Sequence, residues 1–294
     1  MFVLNQIFIN GLIAGAIYAL VASGFSLIYS TCKFVHFAHG AVISLTAYFL
    51  FFLFSILGLN FWLSIIFALI FSVLVGWLMN KIVYEKFRKR KTSSTILLIA
   101  SFALLILLES LILMLFGADI KTIGYIKISK GLEFLGAIIT QLQIIIVGAS
   151  IFLLIFLWIF MKKTKIGKAM RAVSDNKDVA EIVGISSEKI YSWVFAIGSF
   201  IAGVSGILVG LEQNLEPMMG GNLMIKGFTA AIIGGIDSVP GAILGSFLLG
   251  FAENFGIWFL PSGYKDAIAF IILFIFLLFR PQGILSIKRF VNSK

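Results

Sequence analysis

The sequence predicts an all-α fold, a polytopic membrane helix bundle, from its composition and from the spacing of its charges. Of the 294 residues, 61% are hydrophobic and 12% are charged, and the mean hydropathy is +1.10; soluble domains have roughly half apolar and a quarter charged residues. No Asp, Glu, Lys or Arg lies between Phe34 and Asn80. Apolar runs of this length indicate spanning helices and not the short alternating strands of a barrel. We expect about eight membrane helices, one broken or re-entrant, in a single transmembrane domain of residues 1–294.

Each predicted span has close to the 20 or so apolar residues that a helix needs to cross the hydrocarbon. In chain order, the spans are residues 7–29, 39–57, 61–84, 95–116, 140–161, 190–211 and 261–280.

Most of the 23 Lys and Arg residues lie in three segments, residues 81–91, 162–189 and 280–294. In membrane proteins, short basic segments next to spans face the cytoplasm. The net charge of +10 therefore indicates membrane topology and not nucleic-acid binding. Alternating from these segments places residues 58–60 and the longer stretch 117–139 outside.

Residues 223–260 must begin and end outside, yet they are apolar and interrupted at 234–241 by Gly-Gly-Ile-Asp-Ser-Val-Pro-Gly. The segment must enter and return, either as a re-entrant hairpin or as two crossings. Broken helices at membrane depth are tolerated inside protein or beside a water-filled cavity, where free backbone groups bind polar solutes. Residues 39–44 resemble 240–245, which hints at duplication. We expect the translocation pathway near this break and near the similar segment at 39–44. The expected pathway residues are Phe37, His39, Gly40, Gly234, Gly235, Asp237 and Gly241.

Few polar side chains interrupt the apolar segments. Glu109, Asp237 and Glu253 are acids whose burial is costly, so each is either functional or paired, and Asp237 alternatively caps the break. His36 and His39 are spaced as two ligands on one helix face, but no Cys, Asp or Glu nearby in sequence completes a site. We therefore predict no metal site and no catalytic residues.

The basic segment 162–189 is too long for a simple connection and is predicted to form two short helices. Ile166, Ala169, Met170 and Val173 form an apolar stripe on the first helix, and Gly184 ends the second. Such a stripe faces either a partner protein or anionic headgroups. No phosphate-binding loop for ATP occurs in the chain, so any ATP must bind a partner subunit.

Several motifs occur in a fixed order along the chain. They are Asn10-Gly11 with residues 15–20, Phe37-Ala38-His39-Gly40 after His36, residues 167–172 followed by Ala180 and Gly184-Ile185, residues 227–242, and Arg280-Pro281-Gln282-Gly283-Ile284. Together they resemble the permease subunits of bacterial branched-chain amino acid ABC importers, especially the shorter of their two permeases. His36 stands where that family usually has Asn, and Asp237 where it frequently has Gly.

The resemblance implies a type II ABC-importer-like permease that is itself non-catalytic, resides in the bacterial plasma membrane and binds no cofactor. Its implied partners are ATPase subunits, a second homologous permease, an extracytoplasmic solute-binding protein and the lipid membrane. It implies that residues 162–189 form a cytoplasmic coupling loop, with docking residues Gly167, Lys168, Ala169, Arg171, Ala172, Asp175, Ala180, Gly184 and Ile185. The expected solutes are branched-chain or related small amino acids, with urea and amides as other candidates.

Two other function classes stay open from the residues alone. An ion-coupled secondary transporter would use Glu109 and Glu253 as cation sites. An intramembrane enzyme would need His36, His39 and an acid at one wet cavity.

Overall fold

The computed structural model describes residues 2–125, 131–134 and 136–285. The helices are α1 (Phe2–Cys32), α2 (Ala38–Phe51), α3 (Phe61–Leu78), α4 (Glu85–Lys89), α5 (Ser94–Phe116), α6 (Gln141–Lys163), α7 (Lys165–Asp175), α8 (Lys177–Ile182), α9 (Ser187–Glu212), α10 (Met219–Gly234), α11 (Val239–Gly256) and α12 (Lys265–Phe279). The π-helical segments Phe52–Ile56 and Met79–Tyr84 follow α2 and α3, and a 3-10 turn, Ser262–Tyr264, precedes α12. The antiparallel strands β1 (Leu132–Phe134) and β2 (Ala137–Ile139) form a hairpin that the sequence did not predict.

The all-α membrane bundle is confirmed, but the expected count of about eight membrane helices is too high. Among the described residues, 6 helical segments are long and apolar enough to cross a membrane, or up to 7 if α10 and α11 are taken as one bent span. The predicted span 261–280 is shorter than expected, because the 3-10 turn delays the helix until Lys265 and leaves 15 residues in α12. That is about 22 Å of helix against about 30 Å of hydrocarbon.

The first helix is the centre of the bundle. In its most apolar window 83% of the residues are buried, against 17% in α5. Small residues let α11 approach it: an ideal Cβ on Gly250 would lie 2.5 Å from the Gly15 nitrogen, and Phe251 covers Gly11. The glycine stripes are therefore helix-packing surfaces, as small residues often are in lipid. Large apolar side chains exposed on α3, α5, α6 and α12 form the lipid-facing surface.

Long-range contacts identify which segments meet at each end of the bundle. At the basic end, Arg88 of α4 pairs with Glu188 of α9, and Lys33, after α1, pairs with Asp237. At the opposite end, Lys121 and Leu215 exchange backbone hydrogen bonds.

The break between α10 and α11 therefore lies at the basic end. The two helices are bent by 112° relative to each other, and α11 returns along α1 until Phe251 reaches Gly11. The prediction that this segment enters and returns is confirmed. Residues 286–294, the larger part of the predicted cytoplasmic segment 280–294, lie outside the described residues, as does part of 117–139.

Candidate functional site

The basic loop folds into two short helices, as predicted, because two side chains cap them. The Thr164 hydroxyl accepts a hydrogen bond from the Gly167 nitrogen at 2.9 Å, and the Asn176 side-chain oxygen accepts one from the Val179 nitrogen at 3.1 Å. Such caps satisfy backbone donors that a helix start leaves free. The hairpin α7–α8 thus has defined ends and a fixed turn.

The predicted apolar stripe of α7 faces the bundle and not a partner. Met170 and Val173 are buried, and α7 contacts α1, α6 and α9. Gly167 sits against the backbone of α6, where an ideal Cβ would overlap the Phe160 carbonyl oxygen. The interpretation of this stripe as a free surface is therefore wrong, because the chain's own helices cover it.

A different surface of the hairpin is free. Lys168, Arg171 and Asp175 are exposed on α7, whereas Ala169 and Ala172 are half-buried. Ala180 is buried, Ile185 is half-buried, and Gly184 is exposed with φ +87°. Beyond α7, three apolar side chains are exposed by 54%, 83% and 68%; these are Val179, Ile182 and Val183. We call this mixed basic and apolar surface the hairpin face; it consists of Lys168, Arg171, Val179, Ile182 and Val183.

A cavity of about 610 Å³ lies behind α7. Arg171, Ala172 and Asp175 line one side, and Asp237, Ser238 and Pro240 of the break line another. The structure therefore brings part of the predicted docking loop and part of the predicted pathway to one space. We call it the inner cavity.

Close backbone contact builds the break itself. An ideal Cβ on Gly241 would lie 2.5 Å from the Gly234 carbonyl oxygen, and Gly235 has φ +117°. The Ser238 hydroxyl caps α11 by accepting a hydrogen bond from the Gly241 nitrogen at 3.2 Å. These contacts require glycine at 234 and 241, and the positive φ favours it at 235.

The segment after α12 occupies carbonyls that the break leaves free. Ile284 donates its backbone N–H to the Ile233 oxygen at 3.0 Å, and Leu285 donates to the Gly234 oxygen at 2.8 Å. The motif at 280–284 thus has a structural role at the break. Asp237 binds Lys33 at 2.8 Å and does not cap the break; both side chains are about 40% exposed.

The other predicted pathway residues lie in packed junctions and do not line the inner cavity. His39 is buried beside Gly24 of α1, and Gly40 contacts the Gly220 carbonyl of α10. Phe37 stacks on Phe102, with ring centroids 4.3 Å apart. These three residues join α2 to α1, α10 and α5.

The two histidines lie inside the bundle. His36 and His39 are both fully buried, and their ring centroids are 6.4 Å apart. Tyr84 hydrogen bonds to the His36 Nδ1 at 2.9 Å. Burial, and secondarily the neighbouring His39, lowers the pKa of His36 well below its usual value, so this imidazole is neutral at neutral pH. Within the described ranges, no group of three His, Cys, Asp or Glu residues could hold a metal ion.

Glu253 belongs to an ion cluster that the sequence did not predict. Its carboxylate accepts hydrogen bonds from Lys226 at 2.6 Å and from the Tyr18 hydroxyl at 2.8 Å. Lys226 also binds Asp266 at 2.6 Å. Lys226 is a lone cation within α10, which was the available sequence signal. Glu109, the other predicted acid, lies against Gly221 at the start of α10.

A second cavity, of about 490 Å³, lies at the opposite end from the inner cavity. It is bounded by α1, α10, the connection 213–218 and Lys265 of α12. Sequence patterns missed it because its walls come from distant segments. We call it the outer cavity.

Comparison with known proteins places this architecture among transport proteins. The family model for the permease component of branched-chain amino acid transport systems matches residues 7–277. The chain is 32% identical to the Pseudomonas aeruginosa branched-chain amino acid permease BraD, over 96% of this chain and 95% of the relative. It is 30% identical to the Escherichia coli K12 permease LivH, covering 97% and 96%. A probable LivH from Methanocaldococcus jannaschii is 30% identical, covering 91% and 88%.

Proposed function

This chain belongs to the family of branched-chain amino acid transport permeases, and from that membership we propose that it forms half of the pathway of an ATP-driven importer. It is a multi-pass protein of the bacterial inner membrane. A second, homologous permease would supply the other half, and an extracytoplasmic binding protein would deliver the solute. Since the relatives are named as branched-chain amino acid permeases, the proposed solutes are leucine, isoleucine, valine or related small amino acids. ATP hydrolysis then belongs to partner subunits.

The observation that carries the proposal is the hairpin face. Lys168 and Arg171 give it positive charge, and Val179, Ile182 and Val183 give it exposed apolar area. A solvated loop would not hold three large apolar side chains outward. A basic and apolar surface also suits anionic headgroups, and membership of the permease family is what favours a protein partner here. The mixture fits a protein partner, which we identify with the ATPase subunit.

The inner cavity explains how docking would reach the pathway. It separates α7 from the break, so α7 has room to move toward Asp237 and Ser238. Ser174 of α7 donates a hydrogen bond to the Ser30 carbonyl of α1 at 2.7 Å, and Asp237 pairs with Lys33 just beyond α1. Closure of the ATPase subunits would push α7 against these contacts. Different contacts in the two states would then shift the bundle between outward-open and inward-open forms.

Leucine uptake into right-side-out membrane vesicles that contain ATP and have no ion gradient tests the proposal. Arg171→Glu reverses charge on the hairpin face but also changes a residue that lines the inner cavity. Ile182→Glu places charge on the most exposed apolar residue of the face, outside that cavity, and so isolates docking. The matched control is Arg90→Glu, the same reversal at an exposed site on a different basic segment. We expect both hairpin variants to lose most uptake while inserting normally and the control to retain it. Wild-type uptake in both hairpin variants would refute docking through this face.

Gly184→Trp is a weaker test of docking. Gly184 has φ +87°, a conformation that any side chain strains, so loss of uptake would report the turn as well as the surface.

The ion-coupled carrier loses one of its two candidate cation sites. Glu253 is already held by Lys226 and Tyr18, so it is not a free cation site. The enzyme hypothesis required His36 and His39 at a wet cavity, and both side chains are fully buried.

A further inference from the structure

The outer cavity has the size of a small-molecule site. Its volume of about 490 Å³ falls within the range of about 300–1,000 Å³ that is typical of such sites. It lies between α1 and the first two turns of α10, beneath the connection 213–218. It lies at the end of the bundle that the charge pattern places outside.

One wall of the outer cavity is apolar. Ala14 and Ile17 of α1 face Met219 and Leu223 of α10 across it. On each helix these residues recur at the spacing of one face. A branched aliphatic side chain placed against this wall would exchange water for apolar contacts.

Part of the polar lining of the cavity is already used, because the Tyr18 hydroxyl donates to Glu253, but four other polar side chains are available. The side chains of Gln213, Asn214, Glu216 and Asn222 line it. Within the described residues, these four side chains make no hydrogen bond or ion pair. Three amides and a carboxylate therefore offer acceptors and donors to a ligand.

The cavity also carries separate charges of both signs. Lys265 lines it, and among the described residues its ammonium makes a single, long contact, 3.5 Å, with the Asn254 side-chain oxygen. Glu216 supplies the negative charge. Lys226 also lines the cavity, but Glu253 and Asp266 already hold it. A ligand with a single charge would leave either Lys265 or Glu216 without a counter-charge, whereas a zwitterion satisfies both.

We propose that the outer cavity binds an α-amino acid as its zwitterion: Lys265 receives the carboxylate, Glu216 and the neighbouring amides receive the ammonium, and the wall at Ile17 and Leu223 receives the side chain. This assignment rests on the proposed function and adds to it a site on the exterior side. Because Lys265 and Glu216 recognise the carboxylate and ammonium that all α-amino acids share, the apolar wall sets the preference among their side chains.

Thiol labelling in membranes tests the site directly. Cys32 is the single cysteine and is buried, so Cys32→Ser gives a background without thiols. Asn222→Cys then reports the outer cavity to a membrane-impermeant maleimide applied outside. Asp119→Cys is the matched control, because Asp119 is 88% exposed at the same end but outside the cavity. The probes are L-leucine, isovalerate, which lacks the ammonium, and isoamylamine, which lacks the carboxylate.

We expect millimolar L-leucine to slow labelling at position 222 and not at 119, and the two singly charged analogues to give little protection. Lys265→Gln and Glu216→Gln should each raise the leucine concentration for half-protection about tenfold, the effect of about 1.4 kcal/mol. Equal protection by all three compounds, unchanged protection in both charge variants, or no labelling at 222 while 119 reacts would overturn the proposal. Asn214→Cys is the second reporter should Asn222→Cys fail to insert.

The same membranes separate this proposal from the proposed function. Absence of leucine protection with an ATPase still co-purifying would refute the site and leave the importer standing. Leucine protection in a chain that co-purifies with no ATPase would support the site and refute the importer.

Discussion

Replacing Glu188 tests how strongly the ion pair with Arg88 holds the N-terminal end of α9, which follows the hairpin α7–α8. Arg88 donates to both carboxylate oxygens of Glu188, at 3.1 and 2.7 Å, and to the Asn80 side-chain oxygen at 2.7 Å. Its side chain is 10% exposed, and that of Glu188 is 35% exposed. Removing one partner of a fully buried pair costs about 3–5 kcal/mol. Because water reaches Glu188, we expect Glu188→Met to lower the free energy of unfolding by about 2 kcal/mol.

The assay is equilibrium unfolding in mixed micelles, followed by circular dichroism. The double variant Arg88→Met with Glu188→Met should cost less than Glu188→Met alone, because it leaves no unpaired buried charge. Asp119→Asn is the control, since its pair with Lys121 is 3.5 Å long and Asp119 is 88% exposed; it should cost less than about 0.5 kcal/mol. A Glu188→Met effect no larger than that of the control would refute the reasoning.

Three further outcomes are expected. Gly234→Ala should prevent stable assembly of the α10–α11 hairpin, because its Cβ would overlap the Gly241 carbonyl oxygen. Gly148→Ala should not, because no atom of the described residues lies within 4 Å of its Cβ; protease resistance in membranes compares the two variants. Asp237→Asn should change unfolding free energy by under about 1 kcal/mol, because its pair with Lys33 is half-exposed, yet reduce uptake; unaltered uptake would contradict a role at the inner cavity. The lowered pKa of His36 means that only the unfolded chain takes up its proton below about pH 6.5, so stability should fall toward pH 5, and less steeply in His36→Gln.

The sequence predicted well where the helices lie and poorly which helices pack against one another. The spans through residue 212 and the two short helices of the basic loop follow from apolar length and capping signals, which are local. The stripe containing Met170 and Val173 was recognised as apolar, but periodicity does not say which helix covers it. Its burial against α1, α6 and α9 depends on residues far away in the chain.

The site shows the same limit. The glycines at the break were predicted as pathway residues, because a broken helix leaves backbone groups free at membrane depth; their close backbone contacts were not predicted. Arg171 was predicted from the resemblance. The pairing of Lys226 with Glu253 and of Lys33 with Asp237 joins residues on different elements, as does the outer cavity. No spacing rule relates these residues, so only the folded structure brings them together.

Purification from the native membrane tests the central claim most directly, that this chain is an importer subunit which docks on an ATPase through α7–α8. The wild-type chain should bring with it an ATPase subunit and a second permease, and Ile182→Glu should lose the ATPase while keeping the second permease. A chain that purifies alone and moves leucine down an ion gradient would contradict the account.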